Sequence, residues 1–95
     1  MTEILIDRTS EDEHAYSFRV TVCDPGSETT HRVTITRDDL RHLGRPAETP
    51  ESFVRRCFGF LLAREPKESI LDRFDVRTIS LYFPEFPSEI APSLS

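Results

Sequence analysis

The side chains best suited to metal binding or nucleophilic chemistry are three histidines and two cysteines: His14, His31, His42, Cys23 and Cys57. A zinc site places its ligands a few residues apart within a turn or helix, and none of these residues has such a spacing. A nucleophilic cysteine needs an electropositive setting, whereas Cys57 falls on an apolar stripe. We therefore predict no metal site and no reactive thiol, with the histidines at the surface, both thiols reduced and Cys57 in the core.

Two carboxylate pairs could supply a general acid and a general base: Glu65 with Glu68, and Asp72 with Asp75. Acid–base catalysis needs a carboxyl group whose pKa is shifted by burial, but the Arg and Lys residues of this segment favour ionised, solvated carboxylates. The three glycines are isolated at positions 26, 44 and 59, so there is no glycine-rich phosphate loop. The sequence thus predicts no catalytic residue and no cofactor.

Composition restricts the class of protein. The chain has 95 residues, 37% hydrophobic and 31% charged, which is typical of one globular domain spanning residues 1–95. Its formal net charge of −5 argues against a general affinity for nucleic acid. Arg55, Arg56 and Arg64 nevertheless form a candidate basic surface in a locally basic stretch. No apolar run is long enough to span a bilayer and residues 1–7 do not resemble a signal peptide, so we expect a cytoplasmic protein without a membrane partner.

The N-terminal part of the chain is typical of strands. Residues 4–6 are a short candidate strand, and residues 7–14 are acidic and turn-like. Over residues 15–23 apolar and polar side chains alternate, which indicates a strand with one buried face. The turn sequence DPGS leads into residues 30–36, where the alternation continues. These features predict an antiparallel hairpin that needs helices against its apolar side.

Two helices are predicted after the hairpin. Thr36 and Asp39 have the spacing of a capping box, which predicts a short helix or a turn there. Thr49 caps a longer helix over residues 50 to about 64, whose apolar stripe would cover the hairpin. Glycine is unfavourable inside a helix, and we predict that close packing against a neighbouring segment explains Gly59.

Prolines divide the C-terminal part of the chain. Pro66 is expected to end the long helix and to start another helix, which includes residues 70–74. Asp75 then caps a further helix over residues 76–83. The alternative for these residues is a strand with alternate side chains on one face. Residues 84–95 contain three of the seven prolines and are expected to be extended, with a frayed end.

Three bulky aromatic side chains stand near this proline-rich end: Tyr82, Phe83 and Phe86. A domain this small does not easily cover all of them, and exposed aromatic side chains often anchor protein interfaces. They are therefore candidate partner-binding residues, for an unknown protein or for a second copy of this chain. The alternative is that Phe83 and Phe86 fold back to complete the core.

The strings LLAREPKESILDRFD and ISLYFPEF cover roughly the C-terminal half of the chain. In these strings the sequence resembles a family of short bacterial proteins with a REPKESIL and RFD core followed by a YFPE end. The resemblance implies a bacterial origin. It implies no activity, cofactor or functional residue.

Together these patterns predict an α+β domain, with a small antiparallel sheet of two or three N-terminal strands packed against C-terminal helices. The expected function is non-enzymatic binding or regulation through protein contacts, with homodimerisation through exposed sheet edges as one form. Two alternatives stay open. One is a nucleic-acid-associated regulator that uses the arginine-rich middle third, and the other is a small-ligand binder or enzyme whose site is assembled only in the fold.

Overall fold

The computed structural model of the protein describes residues 2–91. They form a four-stranded sheet, in the order β1-β2-β3-β4, together with four α-helices. The elements in chain order are β1 Glu3–Glu11, β2 Ala15–Asp24, β3 Ser27–Thr36, α1 Arg37–Leu43, α2 Pro50–Leu62, β4 Arg73–Asp75, α3 Val76–Tyr82 and α4 Phe86–Ile90. The predicted α+β class is therefore confirmed.

β1 is longer than the sequence predicted. It pairs antiparallel with β2 along almost its whole length, and one bulge interrupts the register. The carboxylate of Asp12 accepts hydrogen bonds from the backbone N–H groups of His14 and Ala15, at 2.7 and 2.8 Å, and so closes the turn into β2. The expected acidic loop over residues 7–14 is thus wrong for residues 7–11, because backbone pairing with β2 holds them in a strand.

β2 and β3 form the predicted hairpin. Asp24 and Ser27 face each other across a two-residue turn, in which Gly26 has a φ of 101°. A positive φ suits glycine because it lacks a Cβ atom. Alternate side chains of the hairpin, such as Phe18 and Val20, lie in the core. The alternation therefore identified the buried face correctly.

The two predicted N-caps are present. The Thr36 hydroxyl accepts a hydrogen bond from the backbone N–H of Asp39 at 3.0 Å, and the Thr49 hydroxyl accepts one from Ser52 at 3.1 Å. Each cap satisfies a backbone donor that has no partner within its helix. α2 then contributes a large share of the core, through Phe53, Val54, Cys57, Phe58, Phe60 and Leu61.

Gly59 lies on the exposed side of α2. A Cβ atom built at this position would meet nothing within 4 Å beyond the local helix. The predicted close packing around Gly59 is therefore wrong. Glycine at this position only lowers the stability of the helix.

The segment that follows Pro66 is not the helix that the sequence predicted there. It makes one 3₁₀ turn at Lys67–Ser69 and then extends into β4, which pairs in parallel with β3. The sheet is thus mixed and has four strands, which corrects the expected antiparallel sheet of two or three N-terminal strands. β4 was not predicted, because three residues carry too little pattern to indicate a strand.

Contacts with the hairpin explain why this segment is extended. The buried ammonium group of Lys67 donates to the carboxylate of Asp24 at 2.7 Å. Further along, the ring of His31 is hydrogen-bonded to the carbonyl oxygen of Leu71 at 2.8 Å. Both contacts join residues about 40 positions apart, so they arise only in the folded chain. They outweigh the local preference for a helix after Pro66.

The helix predicted over residues 76–83 is confirmed as α3. Asp75 caps it by accepting a hydrogen bond from the backbone N–H of Arg77 at 2.8 Å, so the alternative of a strand is wrong. α4 corrects the extended tail, since Phe86 and Ile90 are buried and hold this segment against the core. Residues 92–95, the end expected to fray, lie outside the described residues.

Candidate functional site

The five candidate metal-binding and nucleophilic residues do not converge. His14 and His42 are exposed, as predicted, whereas His31 is only 1% exposed, so the expected surface position is wrong for His31. Within residues 2–91, no cluster of three or more His, Cys, Asp or Glu side chains is placed to hold a metal ion. Cys23 and Cys57 are free thiols, and burial raises the pKa of Cys57 well above its usual range.

His31 has a structural environment. Its Nδ1 lies 2.8 Å from the carbonyl oxygen of Leu71, and its Nε2 lies 2.8 Å from the hydroxyl oxygen of Thr29. A carbonyl oxygen only accepts, so Nδ1 carries a proton and donates it to this bond. The ring also packs on Phe58, with 5.5 Å between the ring centroids. Since both nitrogens are bonded and the ring is buried, His31 has no free atom for a ligand.

The candidate acid–base pairs are divided among separate structural contacts. Glu68 binds the ammonium group of Lys67 at 2.7 Å, and this bond holds the pKa of Glu68 below its ordinary value. Asp75 caps α3. These two carboxylates therefore stabilise the turn after Pro66 and the start of a helix, and neither is directed at its proposed catalytic partner.

The three arginines considered for a basic surface are mostly neutralised within the molecule. Arg56 forms a two-point ion pair with Glu48, and Arg64 binds two carboxylates of the C-terminal segment. Arg55 is exposed and donates to the carbonyl oxygen of Ile4 at 2.8 Å. Because carboxylates balance two of the three charges, these residues do not make a strong site for an external anion.

The Glu48 carboxylate is unusually well bonded. Its oxygens accept hydrogen bonds from the Arg56 guanidinium, the Ser52 hydroxyl and the Arg45 backbone N–H, at 2.7 to 2.9 Å. These donors, the Arg56 guanidinium foremost, lower the pKa of Glu48 from 4.5 to about 2. Arg56 also donates to the carbonyl oxygen of Ile90 at 2.6 Å. The pair thus joins the segment before α2 to the C-terminal end of α4.

The three candidate aromatic residues have different environments. Phe86 is fully buried and packs edge-on against Phe60, with 5.0 Å between the ring centroids. It therefore completes the core and offers no surface for a partner. Phe83 is half-buried and also packs edge-on against Phe60, whereas Tyr82 is 64% exposed. Of the three, Tyr82 is the one whose side chain is largely available for contact.

Tyr82 and Phe83 line a shallow groove between α3 and the segment before β4. We call it the α3 groove. The residues that line it include Glu65, Leu71, Phe74, Thr78, Tyr82 and Phe83. The groove is small, with about 30 Å³ open to the centre of a water-sized sphere, and it is mostly apolar. Leu71, at 43% exposed, lies on the opposite side from Tyr82, and the neighbouring Leu81 is 80% exposed. The fold therefore leaves apolar side chains of the groove, Leu71 and Tyr82, partly in solvent.

Sequence reasoning identified the helical side of this groove but not the opposite side. Leu71 was expected on the apolar edge of a second helix, whereas the extended segment places it next to α3. No local pattern indicates that position. The pairing of β4 with β3 creates it, and this pairing joins residues far apart in the chain.

No helix within residues 2–91 has the length and apolar composition needed to cross a membrane. No family model, no curated protein and no solved structure matches this chain. The α3 groove and the distribution of charge are therefore the observations on which a function rests.

Proposed function

We propose that this protein is a non-enzymatic binding module that recognises a protein partner through the α3 groove. The observation that carries the proposal is the exposure of apolar side chains on both sides of the groove, at Leu71 and Tyr82. Burial of apolar surface stabilises an association by about 25 cal/mol for each Å² removed from water. Exposed apolar patches in soluble proteins often mark such interaction sites.

The size of the groove limits what it binds. Only about 30 Å³ within it is open to the centre of a water-sized sphere, so it does not enclose a small ligand and admits at most the tip of one apolar side chain. The partner expected is therefore a protein segment with an apolar anchor such as Leu, Met or Phe, which would pack between Leu71 and Tyr82. Glu65 also lines the groove and offers a carboxylate to a donor group on the partner.

Self-association through the edge of the sheet is an alternative form of protein binding. Among the described strands β1 lies at one edge of the sheet, and an edge strand offers unpaired backbone groups to a second copy. A cytoplasmic, bacterial setting belongs to the proposal as well. The two free thiols support the cytoplasmic part of this proposal, because reduced thiols are the usual state in a reducing compartment.

The alternative of a nucleic-acid-associated regulator that uses Arg55, Arg56 and Arg64 has less support. Arg56 and Arg64 are bound to carboxylates of the same chain, so binding a phosphate would first require breaking those ion pairs. The net charge of −5 adds a general repulsion of long polyanions.

The test compares three single variants of tagged protein isolated gently from host cells and analysed by native mass spectrometry. Tyr82→Ser and Leu71→Ser each remove one side of the α3 groove. Leu5→Ser is the matched control, because Leu5 is 48% exposed but lies on β1, outside the groove. We expect a companion protein bound in stoichiometric amounts to the wild type and to Leu5→Ser, and absent from both groove variants. A second copy paired through the backbone of β1 would instead be retained by both groove variants.

Two results would overturn the proposal. One is a wild-type protein that carries no stoichiometric companion and does not self-associate. The other is a companion retained equally by the Tyr82→Ser and Leu71→Ser variants, since its binding surface would then lie elsewhere.

A further inference from the structure

The face of the sheet that lies opposite the core carries three arginines side by side. Arg19 on β2 is directly opposite Arg32 on β3, and Arg32 is directly opposite Arg73 on β4. We call these three residues the arginine row. Adjacent strands lie about 4.8 Å apart, so the row places three guanidinium-bearing residues within roughly 10 Å. All three are exposed.

The arginine row is unfavourable for folding by itself. Like charges directly opposite each other on neighbouring strands repel, and cross-strand pairs are a main source of sheet stability. Within residues 2–91, Arg32 and Arg73 form no ion pair, while Arg19 has only a long contact of 3.7 Å with Asp7 at the end of the row. Most other basic side chains of the protein are paired with carboxylates. The row therefore carries an excess of positive charge that the fold does not neutralise.

Hydroxyl groups flank the arginines. On one side of the row Thr21 is opposite Thr30, and on the other side Ser17 is opposite Thr34. Arg32, Arg73, Ser17 and Thr34 are among the residues that line a shallow, solvent-open depression, with about 310 Å³ open to the centre of a water-sized sphere. Guanidinium and hydroxyl groups are the donors that bind phosphate oxygens in proteins. Two carboxylates lie next to the row on the same face: Asp7 is directly opposite Arg19, and Asp75 is directly opposite Thr34, so three arginines outnumber two carboxylates there.

The shape and composition of this face restrict the ligand. Within the four described strands no aromatic side chain lies on it, so bases have no stacking platform of the kind that single-stranded nucleic acids use. The net charge of −5 repels a long polyanion, whereas a ligand about as long as the row feels mainly the local positive charge. Several linked phosphates within a short length meet both conditions.

We propose that the open face of the sheet binds a short chain of linked phosphates across Arg19, Arg32 and Arg73. The chain is either a free oligophosphate or the phosphate tail of a nucleotide. Guanidinium groups contact the terminal and bridging phosphates, and the neighbouring hydroxyls donate to the remaining oxygens. This site lies on the sheet, away from the α3 groove, and does not depend on the function proposed for that groove.

The test is calorimetric titration of the full chain with inorganic triphosphate in about 20 mM salt, where charge screening is weak. The double variant Arg32→Gln/Arg73→Gln removes two members of the row. Arg41→Gln/Arg45→Gln is the matched control, with the same change in net charge on exposed residues outside the sheet. We expect binding about tenfold weaker or more in the first variant, since removing one charge-assisted hydrogen bond already weakens binding by about that factor. The control is expected to stay near the wild-type affinity.

Three further measurements complete the test. Arg32→Gln/Arg73→Gln is expected to keep the wild-type melting temperature or to exceed it, because repulsion is relieved; if it fails to fold, Arg19→Gln replaces it. Titration with ATP distinguishes a free oligophosphate from the phosphate tail of a nucleotide. An affinity for ATP equal to that for inorganic triphosphate indicates recognition of the phosphate chain alone, whereas a higher affinity for ATP indicates a nucleotide. Absence of triphosphate binding, an equal loss of affinity in the control variant, or tighter binding of a single-stranded oligonucleotide would overturn the proposal.

Discussion

Replacing Glu48 by Gln tests whether a single ion pair fastens the C-terminal helix to the rest of the protein. The Glu48 side chain is only 4% exposed and that of Arg56 is 20% exposed, so solvent screens the pair weakly. Glutamine has nearly the same shape but removes the negative charge, and it leaves the Arg56 guanidinium without a counter-ion. The perturbation therefore isolates the charge of Glu48 from its packing.

The expected magnitude follows from the pKa of Glu48. Its value is about 2 in the folded protein against an ordinary value of 4.5. Since one pKa unit corresponds to about 1.4 kcal/mol, the ionised carboxylate stabilises the fold by roughly 3 kcal/mol. A folded pKa below the unfolded one means that this stabilisation is fully present above pH 4.5 and is lost as the pH falls towards 2.

Urea unfolding of the wild type and of Glu48→Gln, followed at pH 7 and at several values below pH 4.5, measures this directly. We expect the variant to be about 3 kcal/mol less stable at pH 7, with a melting temperature lower by about 10–20 °C. The difference should shrink as the pH falls, because the wild-type carboxylate becomes protonated. Glu85→Gln is the control: Glu85 pairs with Arg64 at 3.2 Å but is 47% exposed, so its removal should have a much smaller effect.

Two outcomes would refute this reasoning. A decrease in stability of less than about 1 kcal/mol at pH 7 would mean that the pair is no stronger than a surface ion pair. A difference that stays the same from neutral to acidic pH would mean that the variant acts through packing, and not through the charge of Glu48.

Two other predictions concern positions where sequence and structure disagreed or where alternatives were open. Gly59→Ala is expected to raise the free energy of unfolding by about 0.5–1 kcal/mol, because alanine favours the helix and its Cβ meets no neighbour. Gly44→Ala is its control and should destabilise, since a Cβ there would lie 2.6 Å from the carbonyl oxygen of Leu40; a decrease in stability in Gly59→Ala would contradict the open surroundings described for it. Phe86→Ala should cost about 3–5 kcal/mol in chemical denaturation, as expected for a fully buried phenylalanine. Tyr82→Ser, at an exposed position, should change stability by less than about 0.5 kcal/mol, and equal decreases in the two variants would contradict their assignment to core and surface.

Features set by neighbouring residues were predictable. Thr36, Thr49 and Asp75 all cap helices as expected, because a cap joins a side chain to a backbone group two or three residues away. The hairpin followed from the alternation of β2 and the glycine turn. Its register was also available: a two-residue turn after Asp24 places Arg19 opposite Arg32. Two members of the arginine row could thus have been found from the sequence.

Features that depend on distant residues were not predictable. The helix expected after Pro66 has sound local chemistry, yet this segment is extended because Lys67 binds Asp24 and Leu71 binds His31 in the folded chain. The same change creates β4, adds Arg73 to the arginine row and places Leu71 on the α3 groove. Both candidate sites are therefore completed by the segment after Pro66, whose sequence favours a helix but which is extended in the folded protein.

The sequence by itself determined the α+β class, the hairpin, the caps of three helices and the burial of Cys57, since periodicity and capping act within a few residues. Only the tertiary structure decided that Phe86 completes the core, that Arg56 and Arg64 are neutralised, and that β4 pairs with β3. The physical reason is that burial and long-range pairing depend on which surfaces meet. A side chain's neighbours in space, and not those in sequence, decide whether its charge or apolar surface remains available for binding.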